Sequence, residues 1–210
     1  MKIVVFGASG GTGRELVKQG RAQGHDVTAF VRDPNSFTGG DRLRIVVGDA
    51  LDEKAVALAI AGQDAVLSAL GGALSDDTLL PESIGHILAA MKREGVRRLI
   101  VLGASGVWPG AAKRLSSPAQ FFLRVVQATA LKKAFRAQRT MQMRIQASGT
   151  DWTVVQPPRL VNKPGTGKYR VDGEALPANG TTIARADVAT FMLAQLASPE
   201  WVRKAPFIAW

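Results

Sequence analysis

A chain of 210 residues, 46% hydrophobic and 21% charged, has the length of one ordinary to large domain and the composition of a globular protein, which excludes disordered and fibrous classes. No apolar run approaches the roughly 20 residues of a membrane span, and the absence of cysteine excludes disulfides and thiolate metal sites. With Met1 leading straight into a strand there is no room for a signal peptide, so a cytoplasmic setting without a metal or membrane partner is expected. The net charge of +10 raises nucleic acid as a partner. The basic residues are scattered, however, and no helix-turn-helix, finger or aromatic RNA-binding signature accompanies them, so an anionic small molecule is the expected partner.

The first stretch, Lys2 to Gly13 (KIVVFGASGGTG), is a β-branched and aromatic run that reads as a strand buried on both faces, broken at once by glycines. Gly7, Gly10 and Gly13 form G-x-x-G-x-x-G, and GRELVKQGRAQG then reads as a helix closed by Gly24. The first glycine permits the tight turn and the middle one lets backbone N–H groups approach a pyrophosphate; the last lets helix pack on strand, with the anion at the helix N-terminus. A glycine triplet also suits a flexible loop, but between a strand and a helix it predicts a nucleotide site.

Asp26 to Val31 is a second strand, ending in Arg32, Asp33 and Pro34. The residue beyond this strand faces the adenosine ribose, where arginine accommodates the 2′-phosphate, so Arg32 predicts NADP; an ion pair with Asp33 in solvent is the plainer alternative. Arg14 either adds a second charge there or is a solvated helix residue. Arg44 to Val47 is a third strand closed by Gly48 to Asp52; a carboxylate there either accepts from the adenine amino group or caps the helix starting near Glu53, and the two roles can be split, with Asp49 on adenine and Asp52 as the cap. Asp64 to Leu70 is the fourth strand, ending in Gly71 and Gly72, which either let backbone lie against the cofactor or form a plain turn. A covering helix runs from Pro81 to Glu94 and stops at Gly95; His86 on it and His25 in a loop read as structural.

Arg97 to Leu102 is the fifth strand, followed by Gly103, Ala104, Ser105, Gly106, Val107 and Trp108. Ligands of open α/β sheets bind beyond the carboxyl ends of strands, which makes Ser105 the candidate catalytic residue beside the nicotinamide and Trp108 a candidate wall of the substrate site. A turn former and an ordinary buried side chain are the plainer readings of these two. Ser117, Pro118 and Gln120 read as a capping box opening a helical stretch toward Gln146, with a break around Thr129 to Leu131. Asp151 to Gln156 is the sixth strand, ending in Pro157, Pro158 and Arg159. Leu160 to Thr182 is loop-like, and a substrate-side flap is expected over about 159–183. Arg185 to Leu196 is a last helix, and Ala205 to Trp210 a final edge strand. The expected fold is α/β: one Rossmann-type, doubly wound domain over 1–210, with a mainly parallel sheet of order 3-2-1-4-5-6 plus that edge strand. Because a guanidinium cannot donate its proton at neutral pH, Arg159, with Lys163, Lys168 and Arg170, reads either as an anchor for an anionic aromatic substrate or as a solvated rim.

Together these stretches resemble the atypical short-chain dehydrogenase group that contains the NADPH-dependent flavin reductases (biliverdin-IXβ reductases) and the related NmrA-like proteins. The resemblance is carried by VVFGASGGTG at 4–13, VRDP at 31–34, VGDALD at 47–52, AGQDAVLSALG at 61–71, AAMKREGV at 89–96, SGVW at 105–108 and SGTDWTVVQPPRL at 148–160. It implies NADP as cofactor, held by Gly7, Ser9, Gly10, Thr12, Gly13, Arg32, Asp49, Leu70 and Gly71, with Ala50 beside Asp49 counted in the same site, and Ser105 as the active-site serine. It also implies NADPH-dependent hydride transfer to a flavin, quinone or tetrapyrrole-like acceptor, the alternatives being an NmrA-like regulator that senses NADP without turnover and an epimerase or dehydratase. Two departures matter. The flavin reductases carry histidine where this chain has Arg159, and the wider superfamily uses a Tyr-x-x-x-Lys pair, whereas the single tyrosine here, Tyr169, lies outside the corresponding helix. Hydride transfer to an electron-poor ring tolerates that loss, because the proton can come from water.

Overall fold

The computed structural model describes residues 1–71, 77–107 and 132–210. Alternating apolar runs and amphipathic stretches become β1 (Lys2–Phe6), α1 (Gly11–Ala22), β2 (Asp26–Val31), β3 (Leu43–Val47), α2 (Glu53–Ile60), β4 (Ala65–Ser68), α3 (Leu79–Glu94), β5 (Arg98–Leu102), α4 (Lys132–Gln146) and β6 (Asp151–Val155). The six strands form one parallel sheet of order β3-β2-β1-β4-β5-β6, as expected. Its order reverses between β1 and β4, which register Ile3 on Ala65 and Phe6 on Ser68. That reversal makes the crevice in which ligands of such sheets bind.

Both sheet faces are covered, which is why β1 is a continuous apolar run rather than an alternating one. Val4 and Phe6 point into a cluster with Ile84, Ile87 and Met91 of α3 and Met141 and Ile145 of α4. Ile3 and Val5 point to the other side, into a cluster with Leu16 and Val17 of α1 and Val188, Met192 and Leu193 of α5 (Arg185–Ala194). Helix ends follow local chemistry. Gly24 and Gly95 take left-handed φ values of 82° and 71° after α1 and α3, a conformation glycine adopts without Cβ strain.

The glycine- and proline-rich stretch after β6 is more structured than its composition predicts. It holds three short strands, β7 (Arg159–Val161), β8 (Arg170–Asp172) and β9 (Thr182–Ala184), with β7 paired to β9 in parallel. The C-terminal stretch does lie along β6, through backbone bonds such as Val154 N to Lys204 O and Gln156 N to Pro206 O. Pro206 has no N–H to give to that ladder; Ile208 N still donates to Gln156 O at 3.3 Å, and β10 (Phe207–Ala209) also pairs with β8 antiparallel. The Ser117 capping box and the break at Thr129 to Leu131 lie outside the described residues.

Candidate cofactor and substrate site

The turn after β1 is built from backbone pressed against backbone. Gly7 has φ +72°, and a Cβ there would lie 2.6 Å from Ala69 O at the end of β4. A Cβ on Gly13 would lie 2.1 Å from Gly7 O and 2.7 Å from Ala8 Cα, so only glycine lets α1 start this close to β1. Gly10 is the N-cap of α1, with no side-chain cap bond, and the first turn of α1 carries no acidic residue. The leading N–H groups of a twelve-residue helix are thereby left to a ligand, and the positive end of its dipole favours an anion.

Around this turn the strand ends enclose a cavity of about 200 Å³ lined by Gly7, Ser9, Gly10, Phe30, Val31, Arg32, Gly48, Asp49, Ala50, Ala69, Leu70, Gly71 and Leu79. Eight of the ten predicted cofactor residues are in that lining; Thr12 and Gly13 are buried in the first turn of α1 beneath it. Arg32 is exposed, and its guanidinium makes no hydrogen bond or ion pair with another described residue. Asp33 is not its partner: that carboxylate accepts from Asn35 N at 2.9 Å and caps the short turn Pro34–Ser36. Arg14 is held by Ser9 O and Ser36 O, each at 3.0 Å, and lies 5.2 Å from the Phe37 ring centroid. The two aspartates after β3 divide their work. Asp52 accepts from Lys54 N at 2.9 Å and Ala55 N at 3.3 Å as the cap of α2, whereas Asp49, among the described residues, accepts only from Leu51 N, at 2.9 Å, through Oδ1 and is exposed in the cavity wall. An uncapped helix end, an arginine without a partner among the described residues and a carboxylate with lone pairs to spare suit the diphosphate and adenosine end of a dinucleotide.

On the substrate side, Ser105 opens the 3₁₀ turn Ser105–Val107 after β5 and is 9% exposed. Its N–H donates to Pro157 O at 3.0 Å, which ties this turn to the corner after β6. Arg159, two residues on, starts β7 and is exposed. Trp108 lies outside the described residues. His86 is structural, its Nδ1 3.3 Å from Ala50 O. Tyr169 meets the Phe191 ring edge-on at 6.0 Å, which puts it with α5, on the opposite sheet face from α4; its hydroxyl is held above the usual range by burial and then by Asp187. Among the described residues no group of three His, Cys, Asp or Glu could hold a metal, and no helix is long and apolar enough to cross a membrane.

Two features escaped the sequence reading. Gln156, at the end of β6, is fully buried, with neither side-chain atom hydrogen-bonded; a Cβ on Gly103 would lie 2.9 Å from its Oε1. A polar residue closing an apolar strand was the available signal. Arg185 is the other, a cation in the first turn of a helix, where the dipole disfavours it.

This combination of doubly wound sheet, glycine turn and open helix end defines a dinucleotide-binding protein. The family model described as NAD(P)H-binding matches residues 7–199, and the chain belongs to that family. It is 29% identical to YwnB of Bacillus subtilis (strain 168), over 95% of this chain and 94% of that one. An Arabidopsis thaliana protein, At2g34460, is also 29% identical, over 82% of this chain and 64% of its own length. A 3-diazoavenalumate denitrifying reductase of Streptomyces sp. is 37% identical over 48% of this chain and 36% of its own. Among solved structures, a Rossmann-fold NAD(P)-binding family protein from Shigella flexneri superposes with TM-score 0.74 at 26% identity, covering 99% of this chain and 92% of that one. ChuY, an anaerobilin reductase of Escherichia coli O157:H7, shares the fold with TM-score 0.80 at 22% identity, over 100% and 97% of the two chains.

Proposed function

We propose that the chain is an NADPH-dependent reductase that passes hydride to a planar, electron-poor and anionic acceptor, a flavin, quinone or tetrapyrrole-like ring. The observation that carries this reading is the set of positive groups at the cofactor end, the uncapped α1 N-terminus and the unpaired Arg32, with no acidic residue at the position that would select the ribose 2′-OH of NAD. In this reading Gly7, Ser9, Gly10, Thr12 and Gly13 receive the pyrophosphate, Arg32 the 2′-phosphate, Asp49 the adenine amino group, and Ala50, Leu70 and Gly71 line the path. The bound nicotinamide supplies the hydride.

The remaining residues orient and select. Ser105, fixed through its own N–H to Pro157 O, directs its hydroxyl to the nicotinamide or to the acceptor carbonyl. Arg159 holds the acceptor's phosphate or carboxylate as an anchor, because its guanidinium cannot release a proton at neutral pH. The segment 159–183 acts as the substrate-side flap, with Trp108 as a wall of the same site. Tyr169, on the far face from α4, cannot complete a Tyr-x-x-x-Lys relay, which favours ring reduction over alcohol chemistry. The reductases named among the relatives and neighbours support the same class. NADPH oxidation with FMN and with uncharged riboflavin, at two salt concentrations, tests it. The reading requires turnover, a lower KM for FMN that salt and Arg159→Ala both weaken, and slower turnover in Ser105→Ala with NADPH binding nearly intact. Tight NADPH binding without turnover on any flavin, quinone or tetrapyrrole would instead favour a non-catalytic NADP sensor.

A further inference from the structure

The open end of α1 is met by a residue from the far end of the chain. A Cβ on Gly11 would lie 2.6 Å from both Cδ and Nε of Arg185, so glycine at position 11 makes room for an arginine laid across the first turn of α1. Arg185 opens α5 and is half-buried, yet its guanidinium has no hydrogen-bond or ion-pair partner among the described residues. Its charge stands at the positive end of its own helix and against the positive end of α1, whose cap offers no side chain and whose first turn no acid. A partly desolvated cation between two such ends calls for an anion.

The carboxylate in the first turn of α5 is already taken. Asp187, 1% exposed, accepts from Gly167 N at 2.9 Å, Thr166 N at 3.1 Å, Thr166 Oγ1 at 3.3 Å and Trp210 Nε1 at 2.7 Å. It thereby clasps the 159–183 segment to α5. The fit is close, since a Cβ on Gly165 would lie 2.9 Å from Asp187 Oδ1 and 3.1 Å from Ala186 Cβ. The same turn is bolted to α1 by Gln19, which donates to Ala186 O at 3.1 Å and accepts from Thr190 Oγ1 at 2.8 Å.

From this we infer that Arg185 is a phosphate-binding residue that closes over the pyrophosphate of the dinucleotide, and that the turn Arg185–Asp187 couples cofactor binding to the seating of the flap. The inference rests on the NADP(H) reading above and adds an order to it. The dinucleotide binds first, Arg185 swings onto its diphosphate, Asp187 tightens on Thr166 and Gly167, and the acceptor then meets a closed flap.

The test is calorimetric binding of NADP⁺ and of adenosine 2′-phosphate, which has no pyrophosphate, to the native chain, Arg185→Gln and Arg185→Lys at two salt concentrations. Amide hydrogen exchange at Thr166 and Gly167 is followed at saturating NADP⁺, and thermal melts check folding of both variants. Losing a charge-assisted contact weakens NADP⁺ binding about ten- to hundredfold in Arg185→Gln, less at high salt, and leaves adenosine 2′-phosphate within about twofold. Arg185→Lys recovers part of the loss. NADP⁺ slows exchange of the two amides in the native chain and not in Arg185→Gln. Equal NADP⁺ affinity in native and Arg185→Gln protein, or equal weakening of both ligands, overturns the phosphate role; exchange slowed alike in both proteins overturns the coupling. A native chain that does not bind NADP⁺ at all defeats the cofactor reading itself, and this inference with it, before any variant is made.

Discussion

Two helices leave the same edge of the sheet with opposite finishes. α2 follows β3 and is completed by the protein: Asp52 accepts from two of its leading N–H groups and Glu53 stands in its first turn. α1 follows β1 and receives neither, with Gly10 at its cap and no acid behind it. Both are βα junctions of one parallel sheet, so the architecture does not require an open end. Of these two junctions only α1 is left open, beside the crevice between β1 and β4, with Arg32 in the same cavity lining and Arg185 against its first turn. An unfinished helix terminus costs stability in the free protein, and in the proposed reading the dinucleotide's diphosphate would supply the missing cap.

The largest effect should come from closing the junction that makes α1 available. Gly13→Ala would place a methyl group 2.1 Å from Gly7 O, where backbone meets backbone and neither can move aside. A loss of about 3 kcal/mol or more in urea denaturation is expected, together with loss of NADPH binding. A change under about 0.5 kcal/mol would mean that the β1–α1 junction has slack and that its glycines do not set the approach.

A smaller effect concerns the joint between the α1 end and the segment 159–183. Burial pushes the Asp187 carboxyl up, but the bonds from Gly167, Thr166 and Trp210 outweigh it and hold it below the usual carboxylate range. A depressed folded pKa contributes stability that is present above the unfolded value of about 3.9 and is lost as pH falls through the folded one. Asp187→Asn should therefore be less stable than the native chain by about 2 kcal/mol between about pH 5 and 7, and the gap should narrow below about pH 4. Thermal melts across that range check it, and a gap that stays constant into acid would remove Asp187 as the titrating clasp.

The comparison of the two helix ends is sharpest in a swap, whose stability effects are the smallest. Gly10 has φ −71° and ψ 165°, an extended conformation that accepts a capping side chain. Gly10→Asp gains a cap but sets its Cβ a tight 3.3 Å from Gly7 O, so its stability should stay within about 1 kcal/mol of the native chain, while NADPH binding weakens at least about tenfold because the carboxylate takes the diphosphate's place. Asp52→Ala should do the reverse, costing about 1 kcal/mol with NADPH affinity unchanged. Native-like NADPH binding by Gly10→Asp would mean that the α1 end is not the phosphate site.

Much of this was legible in the sequence. The strand order followed from six apolar runs alternating with helical spacing, because a parallel sheet covered on both faces forces that pattern, and the boundaries moved by only a residue or two. Much of the cavity lining was legible because the fold places residues just past strand ends, so Arg32 and Asp49 could be located by position, whereas Leu70 came from the family resemblance. The strands β7 to β9 were not, since three-residue strands carry no periodicity and the stretch is punctuated by glycine and proline. Arg185 was hidden for a different reason: its meaning lies in a contact with Gly11, and no local pattern links the two. Gln156 broke the apolar run of β6 in plain view, and its burial is a tertiary fact that strand propensity does not report.

The central claim is that the open α1 end and Arg32 together hold a dinucleotide bearing a 2′-phosphate. Titrating NADPH and NADH separately into the native chain and into Arg32→Glu, followed by nicotinamide fluorescence, tests it most directly. The native chain should bind NADPH about ten- to hundredfold more tightly than NADH, and Arg32→Glu should erase or invert that preference. Equal affinity of the native chain for the two cofactors would contradict the account.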